Sequence, residues 1–176
     1  LNLARLEGGK LELNIRHDVD LVESVIEPAF EIVMPQIEER KIQFTKLVPK
    51  GLPVIACDPS LLKIVVVNLL GNAVKYGNEG GEVRLTVSRE DGVVRAVVWN
   101  EGPGFPREEQ KRLFRKFSRL NTPELMQRKG TGVGLYTCWR IIQLHNGKIK
   151  GASEHGQWAE FVFEVPVAGP SSAIGA

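Results

Sequence analysis

Residues 61–76 are largely apolar and carry polar positions at a helical spacing. At about 100° per residue, Asn68, Asn72 and Lys75 fall on one face of the predicted helix, with Gly71 beside them. The pattern therefore predicts a buried helix with one polar stripe. Two amides and an ammonium group on such a helix are costly unless partners satisfy them.

Two interpretations of the stripe remain open from these residues alone. Asn carbonyl oxygens are hard ligands suited to Mg²⁺, and lysine is a point charge for phosphate, so the stripe fits a metal–phosphate site. It equally fits a core helix whose amides bond to neighbouring backbone.

The spacing of apolar residues before the striped helix predicts several shorter elements. Asp18 or Asp20 can cap the first complete helix, and Pro28 and Pro35 allow a kink or break within it. Asp58 caps the striped helix. The predicted elements are the end of a helix at 1–7, a strand at 10–16, a helix reaching about 37, and strands at 42–47 and 54–56.

The chain after the striped helix predicts two hairpins and two helices. Asp91-Gly92 is a strong signal for the first hairpin, and His145 with Asn146 and Gly147 closes the second helix as a cation-capable C-terminal cap. The elements are strands at 82–89 and 93–99, a short helix at 107–117, a loop at 118–129, a helix at 133–144, strands at 148–153 and 158–165, and a disordered tail at 168–176. Because strands and helices are segregated, we expect an α+β two-layer sandwich.

Composition narrows the class of protein only slightly. The 176 residues are 43% hydrophobic and 25% charged with a formal net charge of +2, so nothing favours nucleic acid. The longest apolar run, 64–67, is far too short to cross a bilayer. Cys57 and Cys138 lack a metal or disulfide spacing, which fits a reducing cytosol. The chain starts at Leu1, and we expect it to be a fragment of a longer protein.

Two glycine clusters flank the predicted loop. Gly102-Pro103-Gly104 directly follows a strand, where glycine lets the backbone approach a ligand closely. The second cluster, 130–134, opens a helix whose N-terminal N–H groups favour phosphate. Neither cluster has the P-loop or the Rossmann spacing.

Four motifs in this order resemble those of sensor histidine kinases, members of the GHKL ATPase superfamily. Residues 68–76 resemble the N box, 100–105 the G1 box, 113–117 the F box and 130–135 the G2 box, and 145–149 with 159–166 resemble the family's last hairpin. The similarity covers residues 11–167. Residues 1–10 look like the end of a dimerisation helix and a linker, and 168–176 remain a flexible tail.

The resemblance implies a Bergerat ATP-binding fold with a mixed, mostly antiparallel sheet and helices on one face. It implies the catalytic domain of a cytoplasmic two-component kinase, which passes the γ-phosphoryl of ATP to a histidine on a dimerisation domain missing from this chain. A response regulator would act downstream, with no nucleic acid and no direct membrane contact by this domain. A membrane anchor elsewhere in the full-length protein stays open.

The resemblance also implies roles for single residues. Asn72 would ligate Mg²⁺ with Asn68 assisting, Lys75 and Tyr76 would line the phosphate and ribose side, and Asn100 would hold the adenine amino group. Asn68, Lys75 and Lys116 would be catalytic, and Lys116 or Arg119 would reach the γ-phosphate as residues 118–129 close over ATP. The base pocket would be shaped by Gly102, Gly104 and Phe105, and the phosphates capped by Gly130, Thr131, Gly132, Val133, Gly134 and Leu135.

Two positions depart from the motifs of the superfamily. Asn100 stands where the family usually has Asp, which should weaken the adenine contact by about 1 kcal/mol. Asn68 stands where the hydrolysing members have a general-base Glu, and an amide cannot take a proton from water. Two other functions therefore remain: a degenerate nucleotide-sensing or partner-binding module and, less consistent with Asn68, an ATPase.

Overall fold

A computed structural model of the chain describes residues 12–115 and 133–171. The helices are α1 (Glu27–Glu39), entered through a π-helical turn (Val22–Ile26), α2 (Pro59–Tyr76), a 3₁₀ helix (Arg107–Arg112) and α3 (Val133–Leu144). The strands are β1 (Arg16–Val19), β2 (Gln43–Leu47), β3 (Ile55–Cys57), β4 (Glu82–Glu90), β5 (Val93–Glu101), β6 (Lys148–Glu154) and β7 (Trp158–Pro166).

The main sheet has five strands in the order β2-β4-β5-β7-β6. Its β2–β4 pair is parallel and the other three pairs are antiparallel. Asn100, near the end of β5, lies between Val83 of β4 and Ala159 of β7. A second sheet joins β1 and β3 in antiparallel fashion. The mixed, mostly antiparallel sheet predicted from the sequence is confirmed.

The helices form a layer on one face of this sheet. Alternate residues of β4 and β5 are buried in the same core as α1, α2 and α3, while Arg84, Thr86 and Trp99 between them are only half-buried. Helix α2 packs between α1 and α3 and also contacts β5, while α3 contacts β6 and β7. The predicted two-layer α+β sandwich is therefore confirmed.

Helix α2 begins and ends where the sequence predicted. The Asp58 carboxylate accepts the Leu61 N–H at 3.1 Å, Pro59 occupies the first turn, and the helix ends at Gly77. A Pro in the first turn removes an N–H that would have no helical partner. The cap therefore fixes the helix start that positions the polar stripe.

The prediction of a strand at 10–16 was wrong. Residues 12–15 have no regular structure, and β1 starts at Arg16. Leu13 and Ile15 alternate as a strand would, but the Asn14 N–H donates to the Asp58 carboxylate at 2.9 Å instead of to a ladder partner. A side-chain acceptor has replaced the strand pairing at this point.

The predicted helix cap at Asp20 is confirmed, because its carboxylate accepts the N–H groups of Val22 and Glu23 at 3.0 and 3.2 Å. The chain continues through a π-helical turn into α1 without a break at Pro28, which lies in the first turn of α1. Pro35 lies inside α1 without ending it. The wider turn before Pro28 relieves the clash that its ring would otherwise make with the preceding turn.

Two further predictions need correction. The short helix predicted at 107–117 is a 3₁₀ helix that ends at Arg112. The start of the predicted tail lies against β3, because Ala56 donates its N–H to the Val167 carbonyl at 3.0 Å and Gly169 packs on Ala56. Residues 1–11, 116–132 and 172–176 lie outside the described residues.

Candidate functional site

The polar stripe of α2 is half-buried along one side of the helix. Asn68, Asn72 and Lys75 share this exposure, while Leu69, Leu70, Ala73 and Val74 between them are buried in the core. Asn68 donates its Nδ2 to the Ile64 carbonyl at 2.8 Å, as the core-helix interpretation foresaw for one amide. A Cβ on Gly134 would lie 2.8 Å from Asn68 Oδ1, so the first turn of α3 sits directly on this amide.

The other stripe residues, Asn72 and Lys75, follow in the next turns of α2, nearer its C-terminus. The Lys75 ammonium lies 5.2 Å from the centre of the Tyr76 ring, a distance at which cation and aromatic face attract. Gly71, predicted beside the stripe, is half-buried like the stripe, and its Cβ would lie 4.0 Å from Gln36 Oε1 of α1. The polar side chains of the stripe are the two amides and the lysine.

Two glycines bring the end of α2 into backbone contact with the end of β5. A Cβ on Gly102 would lie 3.0 Å from the Gly77 Cα, and one on Gly77 would lie 3.0 Å from the Glu101 carbonyl. The Asn78 N–H donates to that same carbonyl at 3.0 Å. Only residues without a side chain permit this approach. Gly77 was not predicted to be a site residue, although a glycine directly after the striped helix was a signal for close packing at that point.

Asn100 lies at this junction and is only 4% exposed. Its Nδ2 donates to the Glu101 carbonyl at 3.2 Å and lies near the backbone of Gly77 and Gly102. Because the amide nitrogen is used in this way, Oδ1 is the atom that can accept a hydrogen from a ligand. The side chain therefore offers a neutral acceptor at the point where α2 and β5 meet.

The loop after β5 is fastened to the β6–β7 hairpin. Phe105 donates its N–H to the Ser153 hydroxyl at 2.9 Å, and this hydroxyl donates to the Trp158 carbonyl at 2.8 Å. Gly104 has a positive φ of 62°, and a Cβ there would meet Ser153 and the Trp158 carbonyl. The Phe105 ring is buried 6.2 Å from that of Phe161, so it supports the loop from the core side.

The 3₁₀ helix that follows is attached to the same hairpin. Gln110 donates its Nε2 to the Gly151 carbonyl at 3.0 Å, Leu113 is buried beside Gly151, and the ring of Phe114 stands edge-on to Phe161. Of the predicted site residues, Val133 begins α3 and Leu135 packs against the core. The remaining ones lie outside the described residues, namely Lys116, Arg119, Gly130, Thr131 and Gly132.

His145 at the end of α3 is buried and bridges to the start of α2. Its Nε2 accepts the Asp58 backbone N–H at 3.1 Å, and its Nδ1 lies 2.8 Å from the Ile141 carbonyl. Burial lowers the pKa of His145 below 6.5, outweighing the Ile141 carbonyl and the Asp58 charge, which raise it. The predicted cap at the C-terminus of α3 is confirmed, since Nδ1 lies against the Ile141 carbonyl, but the ring is held neutral because Nε2 must stay unprotonated to accept the Asp58 N–H.

Other reactive side chains are buried away from the stripe. Burial raises the pKa of the Cys57 thiol to about 12 and also raises that of Cys138, so both stay protonated and unreactive. Within residues 12–115 and 133–171, no group of three His, Cys, Asp or Glu side chains could hold a metal ion. None of the helices described here is long and apolar enough to cross a bilayer.

Known proteins are similar to this chain in sequence and fold. The sequence model of the family described as "Histidine kinase-, DNA gyrase B-, and HSP90-like ATPase" matches residues 57–169, from β3 to just past β7. The chain belongs to this family. The match includes the striped helix, the glycine junction and α3, so the candidate site lies wholly inside the family's ATPase domain.

Two relatives carry the name adaptive-response sensory kinase SasA. The chain is 36% identical over 166 residues to the protein of Synechococcus sp. (strain JA-3-3Ab), and 36% identical over 172 residues to that of Synechococcus elongatus. These matches cover 94% and 95% of this chain but only 44% and 42% of the relatives. The chain thus spans less than half the length of these curated kinases.

Solved structures give the same assignment. Full-length ShkA in complex with AMPPNP is 34% identical with a TM-score of 0.81, over 96% of this chain and 34% of that one. The catalytic domain of histidine kinase ThkA is 27% identical with a TM-score of 0.74, over 90% of this chain and 97% of that domain. The chain is therefore a catalytic, ATP-binding domain of the histidine kinase type.

The Gly104 contacts predict a specific loss of stability. We expect Gly104→Ala to lower the free energy of unfolding by more than about 2 kcal/mol, because it adds a clash to the strain of positive φ. Gly156→Ala is the control, since Gly156 also has a positive φ, of 89°, but open space around it. Urea denaturation of both variants measures the difference, and equal losses would contradict the packing described.

Proposed function

We propose that this domain binds Mg–ATP along the stripe of α2 and passes the γ-phosphoryl to a histidine on a dimerisation domain outside this chain. The observation that carries the proposal is the junction of α2 with β5. At this junction Asn100 lies beside Gly77, at the C-terminal end of the helix that carries the Asn68–Asn72–Lys75 stripe, inside a domain of the histidine kinase family, and this proximity supports the proposal.

The donor set of the stripe fits Mg²⁺. Asn72 offers a half-buried amide oxygen, and Asn68, whose orientation is fixed by Ile64 and Gly134, can assist through water. Mg²⁺ commonly takes one or two protein oxygens and keeps waters and substrate phosphates as its other ligands. Bound there, the ion would neutralise charge on the phosphates.

The nucleotide would run from the junction to the start of α3. Asn100 Oδ1 would accept a hydrogen of the adenine amino group, with Gly102, Gly104 and Phe105 shaping the pocket behind it. Lys75 and Tyr76 would contact the phosphate and ribose. N–H groups at a helix N-terminus bind phosphate well, which supports the predicted roles of residues 130–135.

Transfer to a side chain is favoured over hydrolysis. Asn68 Nδ2 is already bonded to the Ile64 carbonyl, and an amide cannot activate water as a general base. Catalysis would then rest on positioning and charge neutralisation, with Lys116 or Arg119 at the γ-phosphate. A structure of ThkA with the response regulator TrrA, 25% identical to this chain, supports a response regulator as a further partner.

A second candidate is a nucleotide-sensing or partner-binding module without phosphotransfer. The neutral amide of Asn100 in place of the usual carboxylate is the observation that favours it. For either function we infer a cytoplasmic location, supported by two unpaired buried cysteines.

Magnesium-dependent stabilisation tests the site directly. At a hundred times Kd, Mg–AMPPNP should add about 2.7 kcal/mol to the free energy of unfolding, and so raise Tm by about 5 to 10 °C. We expect Asn72→Ala to abolish the magnesium-dependent part. Gln143→Ala, which removes an exposed amide at the far end of α3, should keep it. No shift in the wild type at millimolar nucleotide would favour the module without phosphotransfer.

The role of Asn100 predicts opposite effects on affinity and stability. Asn100→Asp should tighten ATP binding about fivefold, because a carboxylate accepts a stronger hydrogen bond. It should also lower the unfolding free energy of the free protein, since the Glu101 carbonyl loses one of its two donors and would face a carboxylate oxygen. Calorimetric titration and urea denaturation check the two effects. Unchanged ATP affinity would place the adenine amino group elsewhere.

Phosphotransfer can be tested with separate domains. This chain, mixed with a dimerisation domain carrying the acceptor histidine, should transfer label from [γ-³²P]ATP to give an acid-labile, base-stable phosphohistidine. The same mixture with Asn72→Ala is the control and should remain unlabelled. A chain that binds Mg–ATP yet never labels the acceptor would contradict the kinase proposal.

A further inference from the structure

His145 connects the two helices that carry the candidate nucleotide site. It is 1% exposed, receives the Asp58 N–H on Nε2 and contacts the Ile141 carbonyl through Nδ1. Since an N–H must meet a lone pair, Nε2 is unprotonated and Nδ1 carries the hydrogen given to Ile141. The neutral ring is therefore a fixed bridge between the end of α3 and the start of α2.

The bridge is bonded to a point that is itself held in place. The two carboxylate oxygens of Asp58 accept the N–H groups of Leu61 and Asn14 at 3.1 and 2.9 Å. Asp58 is thus tied to α2 on one side and to the entering chain on the other. A shift of His145 along the helix axis would break its bond instead of moving Asp58 with it.

Three contacts show that α2 and α3 run antiparallel in one register. Asp58 meets His145, the Val65 carbonyl lies 3.8 Å from the Cys138 thiol, and Asn68 meets Gly134. From first to last contact, α2 spans about 15 Å and α3 about 17 Å at 1.5 Å per residue. Because a helix is stiff along its axis, the His145 end sets the position of the Gly134 end.

The far end of this pair leaves no room for a side chain. Because a Cβ on Gly134 would lie 2.8 Å from Asn68 Oδ1, only a residue without a side chain lets α3 take this position on α2. Movement away would release the Asn68 amide and displace the first turn of α3. The middle contact is only a weak thiol hydrogen bond, so a directional bond at the other end matters for the register.

We propose that His145 is a positioning residue for the nucleotide site, fixing the register of α3 on α2 so that the first turn of α3 meets Asn68. This inference rests on the proposed function in one respect, which is that nucleotide binds where the first turn of α3 meets the stripe of α2. His145 itself touches no substrate.

The proposal has a pH signature. Protonation of Nε2 would turn the acceptor into a second donor facing the Asp58 N–H, with the Asp58 carboxylate the ionised group acting on the ring. The folded pKa is lowered below 6.5, so the unfolded chain binds more protons between the two values. Stability is therefore complete above about pH 6.5 and falls as pH drops towards the folded pKa. Nucleotide affinity should fall as pH drops through that folded value.

The test compares Mg–AMPPNP affinity, by calorimetric titration of the whole chain well below Tm, in three variants. His145→Phe keeps a ring but removes both bonds and should weaken binding about tenfold, equal to about 1.4 kcal/mol. His145→Gln can accept the Asp58 N–H and should recover most of this affinity. Val94→Ala removes buried volume at the end of β5 remote from Asn100, and should destabilise the fold without changing affinity.

The affinities of these variants either support or overturn the positioning role of His145. His145→Phe binding as tightly as Val94→Ala, at comparable losses of stability, would overturn the proposal. If His145→Phe does not fold, the wild type and His145→Gln are compared from pH 8 down to the lowest pH at which both remain folded. A steeper acid loss of affinity in the wild type supports the role, and parallel profiles, which contain only the nucleotide's own titration, refute it.

A readout without nucleotide separates this proposal from the proposed function. Amide hydrogen exchange in the first turns of α3 should accelerate in His145→Phe, and in the wild type relative to His145→Gln at low pH, but not in Val94→Ala. If the wild type binds no Mg–AMPPNP, the proposed function fails, and faster exchange would still support the fixed register. Unchanged exchange would refute it.

Discussion

The burial of α2 is the constraint on which the rest of the structure depends. Because α2 packs between α1 and α3 and against β5, its polar residues have one half-buried side on which to lie. Asn68, Asn72 and Lys75 occupy that side. The cost of placing amides on a buried helix is offset in part by bonds such as that from Asn68 to the Ile64 carbonyl. The remaining amide capacity is what the proposed Mg–ATP site would use.

Short side chains set the distances around this helix. Gly77 and Gly102 allow backbone contact between α2 and β5, and Gly134 allows α3 to rest on Asn68. Each glycine replaces a side chain that would hold the elements apart. Gly102 and Gly134, which were predicted to contact ligand, therefore also have a structural reason to be glycine, because they let β5 and α3 approach α2 closely.

Local sequence signals predicted most of the fold and the stripe. Helical spacing located α2, and the Asp91-Gly92 turn located the β4–β5 hairpin, because both depend on neighbouring residues. The failures came from long-range partners. The Asp58 carboxylate accepts the Asn14 N–H, so residues 12–15 do not form the predicted strand. The Asp58 backbone N–H bonds to Nε2 of the neutral His145 ring. No spacing in the sequence reveals that positions 58 and 145 meet, so the bridge required the structure.

The surroundings of Asn100 bear on whether the unusual amide is a loss or an adaptation. A chance replacement of Asp by Asn would leave the two N–H groups of the amide buried without a partner, at a cost of about 1–3 kcal/mol. Here Nδ2 finds the Glu101 carbonyl at 3.2 Å, a group that would repel a carboxylate oxygen in the same position. The amide therefore matches its environment, and its oxygen keeps its capacity to accept a hydrogen bond. The proposed adenine contact would then be made by a neutral acceptor.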